Sequence, residues 1–131
     1  MKQSKLFLKK AGEFFLEAKL LHEKGFWPGA TNRAYYSMFT AARSVLMLKG
    51  ITAKTHAGTH QKFSEVLVKE AILPVELFKM LNRAYQYRQE VDYEPEIEID
   101  EEMATKIFNE ADVFLEIVSA YLDNEFSKIE P

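Results

Sequence analysis

The sequence predicts an all-α protein, an antiparallel bundle of four long helices and one short helix. Apolar residues recur at intervals of three and four through five successive segments, the period of a helix with a buried face. Helix-ending glycines, prolines and an N-capping aspartate fall between those segments, and no region is strand-rich, repetitive or of low complexity.

The first helix is expected over Ser4 to Lys24. Phe7, Ala11, Phe14, Ala18 and Leu21 form its inner row, and Lys9, Glu13 and Glu17 line the opposite face. Gly25 is placed to end it in a left-handed conformation. Phe26-Trp27-Pro28-Gly29 is a tight connection, with Pro28 near the first turn of the next helix and Trp27 plugging the end of the core. That second helix is the centre of the design. Ala34, Met38, Ala41 and Val45 make one stripe, and Tyr35, Phe39, Ala42 and Leu46 make another beside it. Two adjacent stripes imply several packing partners, so this is the central helix, running on through Leu48 to stop at Gly50.

A loop from Ile51 to Thr59 precedes a short helix expected from Thr59 or His60 to Ala71, with Phe63, Val66 and Leu67 inward. Pro74 opens the fourth helix, whose row of Leu77 or Phe78, Leu81, and Ala84 or Tyr85 runs into Arg88. Glu94-Pro95 ends it, because the residue before proline disfavours the helical conformation. The segment from Glu96 to Asp100, where Ile97 and Ile99 alternate with acids, reads as a short extended linker. Asp100 is a good N-cap for the last helix, whose row is Ala104, Ile107, Ala111, Phe114 or Leu115, Val118 and Leu122. Fraying is expected from Asn124 onward.

The 131 residues suit one domain over 1–131, with an acidic linker at 94–100 before the last helix. A hydrophobic fraction of 47% and a charged fraction of 28% are those of a soluble globular protein. No run approaches the roughly 20 apolar residues that span a bilayer, and Met1 to Ser4 leads into no signal-peptide core. A cytoplasmic protein without a membrane partner is therefore expected. The absence of cysteine excludes disulfides, thiolate metal sites and cysteine nucleophiles. The net charge of −3 is unevenly placed. Residues 90–102 hold eight acids and no base, leaving 17 bases against 12 acids elsewhere. That is an acidic loop on a mildly basic bundle.

Polar chemistry concentrates in two stretches. Arg88, Glu90, Asp92 and Tyr93 form the densest polar group, and an arginine ending an apolar row suits phosphate or carboxylate. Asp92, one turn on, can hold that guanidinium; read structurally, the same pair is a tie closing a helix end. Asn32, Arg33 and Tyr36 gather at the start of the central helix, where buried polar groups need partners. His56 and His60 stand four residues apart but lack further zinc ligands, so a helix cap or a hydrogen bond to the central helix is the expected role. No metal or cofactor is expected. Walker loops, nucleophile elbows and dinucleotide fingerprints do not occur.

Gly25-Phe26-Trp27-Pro28-Gly29-Ala30, then Asn32-Arg33-Ala34-Tyr35-Tyr36-Ser37-Met38-Phe39, then His56-Ala57-Gly58, then Arg88 with Asp92-Tyr93, together resemble the HEPN domain, in order and over nearly the whole chain. The resemblance implies a small, often dimeric helical bundle, commonly encoded beside a minimal nucleotidyltransferase. Many members are metal-independent endoribonucleases, frequently toxins whose paired protein is the antitoxin. Nuclease members carry an arginine, four to six residues, and a histidine, and two copies meet to form the active site. Arg88 matches the arginine, but Tyr93 stands where the histidine would be. An unperturbed tyrosine titrates near ~10 and is a poor general base at neutral pH.

These features together imply a homodimeric protein that binds RNA or nucleotide phosphate through Arg88, supported by Asn32, Arg33 and Tyr36. Its expected partner is a minimal nucleotidyltransferase in a toxin–antitoxin-type pair. Two alternatives stay open: an active endoribonuclease using Arg88, Asp92 and Tyr93, or an adaptor bundle in which that cluster merely locks two helices.

Overall fold

In the computed structural model, which describes residues 1–93 and 98–130, five helices follow one another. They are α1 (Lys2–Glu23), α2 (Trp27–Leu48), α3 (His56–Glu70), α4 (Glu76–Tyr93) and α5 (Glu101–Ile129), and no strand occurs among the described residues. The side chains of Val68 and of residues 90–93 are also outside the described set.

Helix α2 is the hub, as its double stripe predicts. Ala34, Tyr35, Met38, Ala41, Ala42, Val45 and Leu46 are all buried, and α1, α3, α4 and α5 each pack on α2. Ala11 and Ala18 of α1 face it with no exposed surface, and small residues on both sides let the two helix backbones approach closely. At one end of this pair two serines satisfy each other. Ser4 Oγ donates to the Ser44 carbonyl at 2.8 Å, and Ser44 Oγ donates to the Ser4 carbonyl at 2.6 Å. At the other end Gly25 turns the chain at φ +79°, and the Phe26 N–H bonds the Leu21 carbonyl at 2.9 Å. Gly50 ends α2 in the same way, at φ +73°.

Two boundaries differ from expectation. Helix α3 begins at His56, inside the expected loop, because Thr55 Oγ1 accepts the Gly58 N–H at 2.9 Å and caps the first turn. Glycine suits that cap: a Cβ on residue 58 would lie 2.9 Å from the same oxygen. Helix α5 does not fray at Asn124 but continues to Ile129. Phe126 is only 8% exposed, the Lys5 ammonium lies 5.4 Å from its ring, and Lys5 pairs with Glu130 at 3.2 Å. Asp100 caps α5 as expected, accepting the Met103 N–H at 2.9 Å. Of the expected linker, Glu94, Pro95, Glu96 and Ile97 lie outside the described residues; Ile99 is buried and non-helical. Among the described residues no helix is long and apolar enough to cross a membrane.

Burial of Phe126 makes the last turns of α5 part of the core. Phe126→Ala is expected to destabilise the fold by about 3 kcal/mol, measured by urea denaturation. Truncation after Asn124 should cost at least as much; a fraying tail would leave both variants at wild-type stability.

Candidate functional site

Helical spacing brings three sets of side chains to one place. On α2, Tyr35, Phe39 and Arg43 follow one another by single turns, with Tyr36 beside them. On α3 the early start puts His56 and His60 on one face, and on α4 Tyr85, Arg88 and Gln89 share a face. These faces converge on the Tyr35 phenol, which is wholly buried.

The Tyr35 hydroxyl sits between two imidazoles, 2.7 Å from His56 Nδ1 and 3.0 Å from His60 Nε2. The expected hydrogen bond from this histidine pair to the central helix is therefore present, and it is made twice. One hydroxyl can donate to one ring nitrogen and accept from the other, so all three groups are satisfied while neutral. Around them is an aromatic shell. His56 stacks on Phe39 with centroids 4.4 Å apart and planes 15° apart, and Tyr85 lies 4.9 Å from His60 and 5.5 Å from Tyr35. Gln89 Nε2 donates to the Tyr85 hydroxyl at 2.6 Å.

Arg88 lies across the rim of this shell. Its guanidinium carbon is 5.1 Å from the Tyr36 ring centre and 5.7 Å from that of Tyr35, within the range of cation–π attraction. Tyr36, Tyr85, His56 and Arg88 are each part-exposed, so the site is an open platform. Of the residues expected to support Arg88, Tyr36 does meet it. Arg33 and Asn32 engage α1: Arg33 Nε pairs with Glu17 at 3.1 Å, its Nη1 donates to Asn32 Oδ1 at 3.2 Å, and its guanidinium lies 5.8 Å from the Phe14 ring. The side chains of Glu90, Asp92 and Tyr93 lie outside the described residues, although the α4 backbone reaches Tyr93. Tyr35, Tyr85 and Arg43 were not singled out by sequence as site residues, and His56 and His60 only as a capping or hydrogen-bonding pair.

The electrostatics follow from burial and from the arginines. Burial pushes the Tyr35 phenol well above its usual value, so it stays a hydroxyl able to donate and accept. Burial lowers the His56 imidazole, and the charges of Arg88 and Arg43 lower it further. His60, 7% exposed, is pushed down to about 4 by burial and by His56. Both rings are thus neutral near pH 7. Their nitrogens converge on one hydroxyl, and among the described residues no group of three or more His, Asp or Glu could hold a metal ion. A groove of about 470 Å³ lined by Met1, Lys2, Lys5, Leu6, Lys9 and Glu130 lies at the far end of the α1–α2 pair, away from this chemistry.

Comparison with known proteins gives the family. A family model described as HEPN domain matches residues 4–121. A Methanocaldococcus jannaschii protein named "Putative toxin" is 36% identical over 115 residues, covering 88% of this chain and 78% of its own length. A second protein of that name from the same organism is 30% identical over 112 residues, 86% of this chain and 83% of its own. A UPF0332 protein of Archaeoglobus fulgidus is 32% identical over 116 residues, 88% of this chain and 92% of its own.

Because His60 binds a proton more weakly folded than unfolded, acid favours the unfolded chain. Its stabilising share is fully present above the unfolded value near 6.5 and is lost as pH falls toward about 4. The loss should be of order 3 kcal/mol, with His56 adding in the same direction. Urea melts across that range are expected to show the decline, and His60→Gln, which can still accept from Tyr35, should reduce it.

Proposed function

The chain belongs to the HEPN domain family, and from that premise we propose that it is an RNA- or nucleotide-phosphate-binding member of it. The observation that carries the reading is the placement of Arg88. A guanidinium presents paired N–H donors in a rigid fork and keeps its charge at any physiological pH, which suits phosphate oxygens. Here it rests on Tyr35 and Tyr36 at the edge of an open aromatic platform. Part-exposed rings beside a fixed cation are the elements that single-stranded nucleic acid uses, bases stacking while the backbone meets positive charge.

In this reading the protein is cytoplasmic and acts as a homodimer through the C-terminal half of α4, which sets two Arg88 side chains near the two-fold axis. A toxin role is supported by the names of two relatives. A minimal nucleotidyltransferase partner rests on the family resemblance. Tyr36 supports Arg88 directly, whereas Arg33 and Asn32 contribute from the α1 side.

Two outcomes are expected. Arg88→Ala should abolish binding of fluorescently labelled single-stranded oligouridylate, read by anisotropy, while unfolding stays cooperative; a loss of several kcal/mol in stability with binding intact would make Arg88 a structural tie. Strand scission by the wild type in the presence of chelator would instead establish the endoribonuclease alternative. Light scattering at micromolar concentration should give the mass of a dimer, and a monomer mass would defeat the shared-axis arrangement.

A further inference from the structure

We propose that His56 is a second ligand contact in the Arg88 site, one that takes up a proton when the phosphodiester backbone of single-stranded RNA binds. The inference rests on the RNA-binding reading above and adds a residue and a proton to it.

The geometry isolates one ring nitrogen for this purpose. His56 Nδ1 is committed to Tyr35, the ring face is held against Phe39, and Tyr36 and Tyr85 lie at 6.0 Å and 5.8 Å. Nε2, on the far side of the ring, points away from the buried hydroxyl, and the residue is part-exposed. Arg88 and His56 lie against the same tyrosine pair, close enough for the arginine's charge to act on the imidazole.

The hydrogen-bond chain accepts a protonated His56 in only one arrangement. His56 Nδ1–H donates to the Tyr35 oxygen, the Tyr35 hydroxyl donates to a lone pair on His60 Nε2, and His56 Nε2–H faces outward. His60 can accept because burial keeps it neutral. Among the described residues, the titratable and charged groups that face His56 are Tyr35, Tyr36 and Arg43 from α2, His60 from α3, and Tyr85 and Arg88 from α4. In the free protein, burial and the two arginines hold the imidazole neutral. An anion seated on Arg88 offsets that repulsion, so the complex binds the proton more tightly than the free protein does. Affinity is then highest in acid and falls as pH rises through the value of the complex. The diester is the ligand favoured because the platform is open along four part-exposed residues, and because its charge does not change in this range.

The test is the affinity of single-stranded oligouridylate, whose bases do not titrate here, between about pH 5 and 8 at fixed ionic strength. Wild type should lose affinity with rising pH, by at most about tenfold per unit, the limit for one proton. His56→Gln should flatten the profile, at or below the wild-type alkaline limit. NMR titration of the His56 ring in unaltered protein should show its pKa rising when the oligomer is added. A flat wild-type profile, a slope kept by His56→Gln, or a His56 pKa unmoved by RNA would overturn the proposal while leaving RNA binding intact. Absence of oligouridylate binding would overturn both the proposal and the RNA-binding reading, and binding of uridine monophosphate alone would do the same while leaving the nucleotide-phosphate reading.

Discussion

A phenol hydroxyl in the middle of a helical core must be hydrogen-bonded, since leaving one without a partner costs about 1–3 kcal/mol. Tyr35 meets that requirement with two imidazoles from one face of α3, and much else follows. The pairing sets where α3 starts, since His56 has to be helical to stand one turn before His60. The Thr55 cap and Gly58 serve that start. Tyr85, held by Gln89, closes the cluster from α4, so the Tyr35 side chain, through its hydroxyl to α3 and its ring to α4, ties together the three helices that build the platform.

The same cluster explains why the neighbourhood is electrically unusual. Burial keeps both imidazoles uncharged, and the charges of Arg88 and Arg43 add to that effect at His56. Arg88 is stabilised by the faces of Tyr35 and Tyr36, and Arg43 lies 4.9 Å from the Phe7 ring and 6.0 Å from that of Phe39. Aromatic faces thus accompany the cations here, as Phe14 does Arg33 of α2, which also has the carboxylate of Glu17 on α1. Arg83 on α4 likewise pairs with Glu110 of α5.

Periodicity was enough to find the five helices and the central place of α2, because apolar spacing records burial directly. The boundaries it missed depended on single polar contacts. Thr55-x-x-Gly58 lacks the acid that would mark a capping box, and Phe126 follows the polar run Asp123-Asn124-Glu125 and so looked detached from the core. The site was half legible. Arg88 stood out because it ends an apolar row, and Tyr36 because it is polar in a crowded helix. Tyr35 sits within an apolar stripe and could not be told from a core residue, so the partner of both histidines stayed hidden. Nor could spacing show that Glu17, read as belonging to the outer face, is within reach of Arg33.

The pairing of Lys5 with Glu130 has a practical consequence. Residues at the two extremes of the described chain meet at one end of the bundle, beside the serine pair, while Arg88 rests on Tyr35 and Tyr36 near the middle of α2. A tag, surface tether or fluorophore joined at either extreme therefore projects from the same pole.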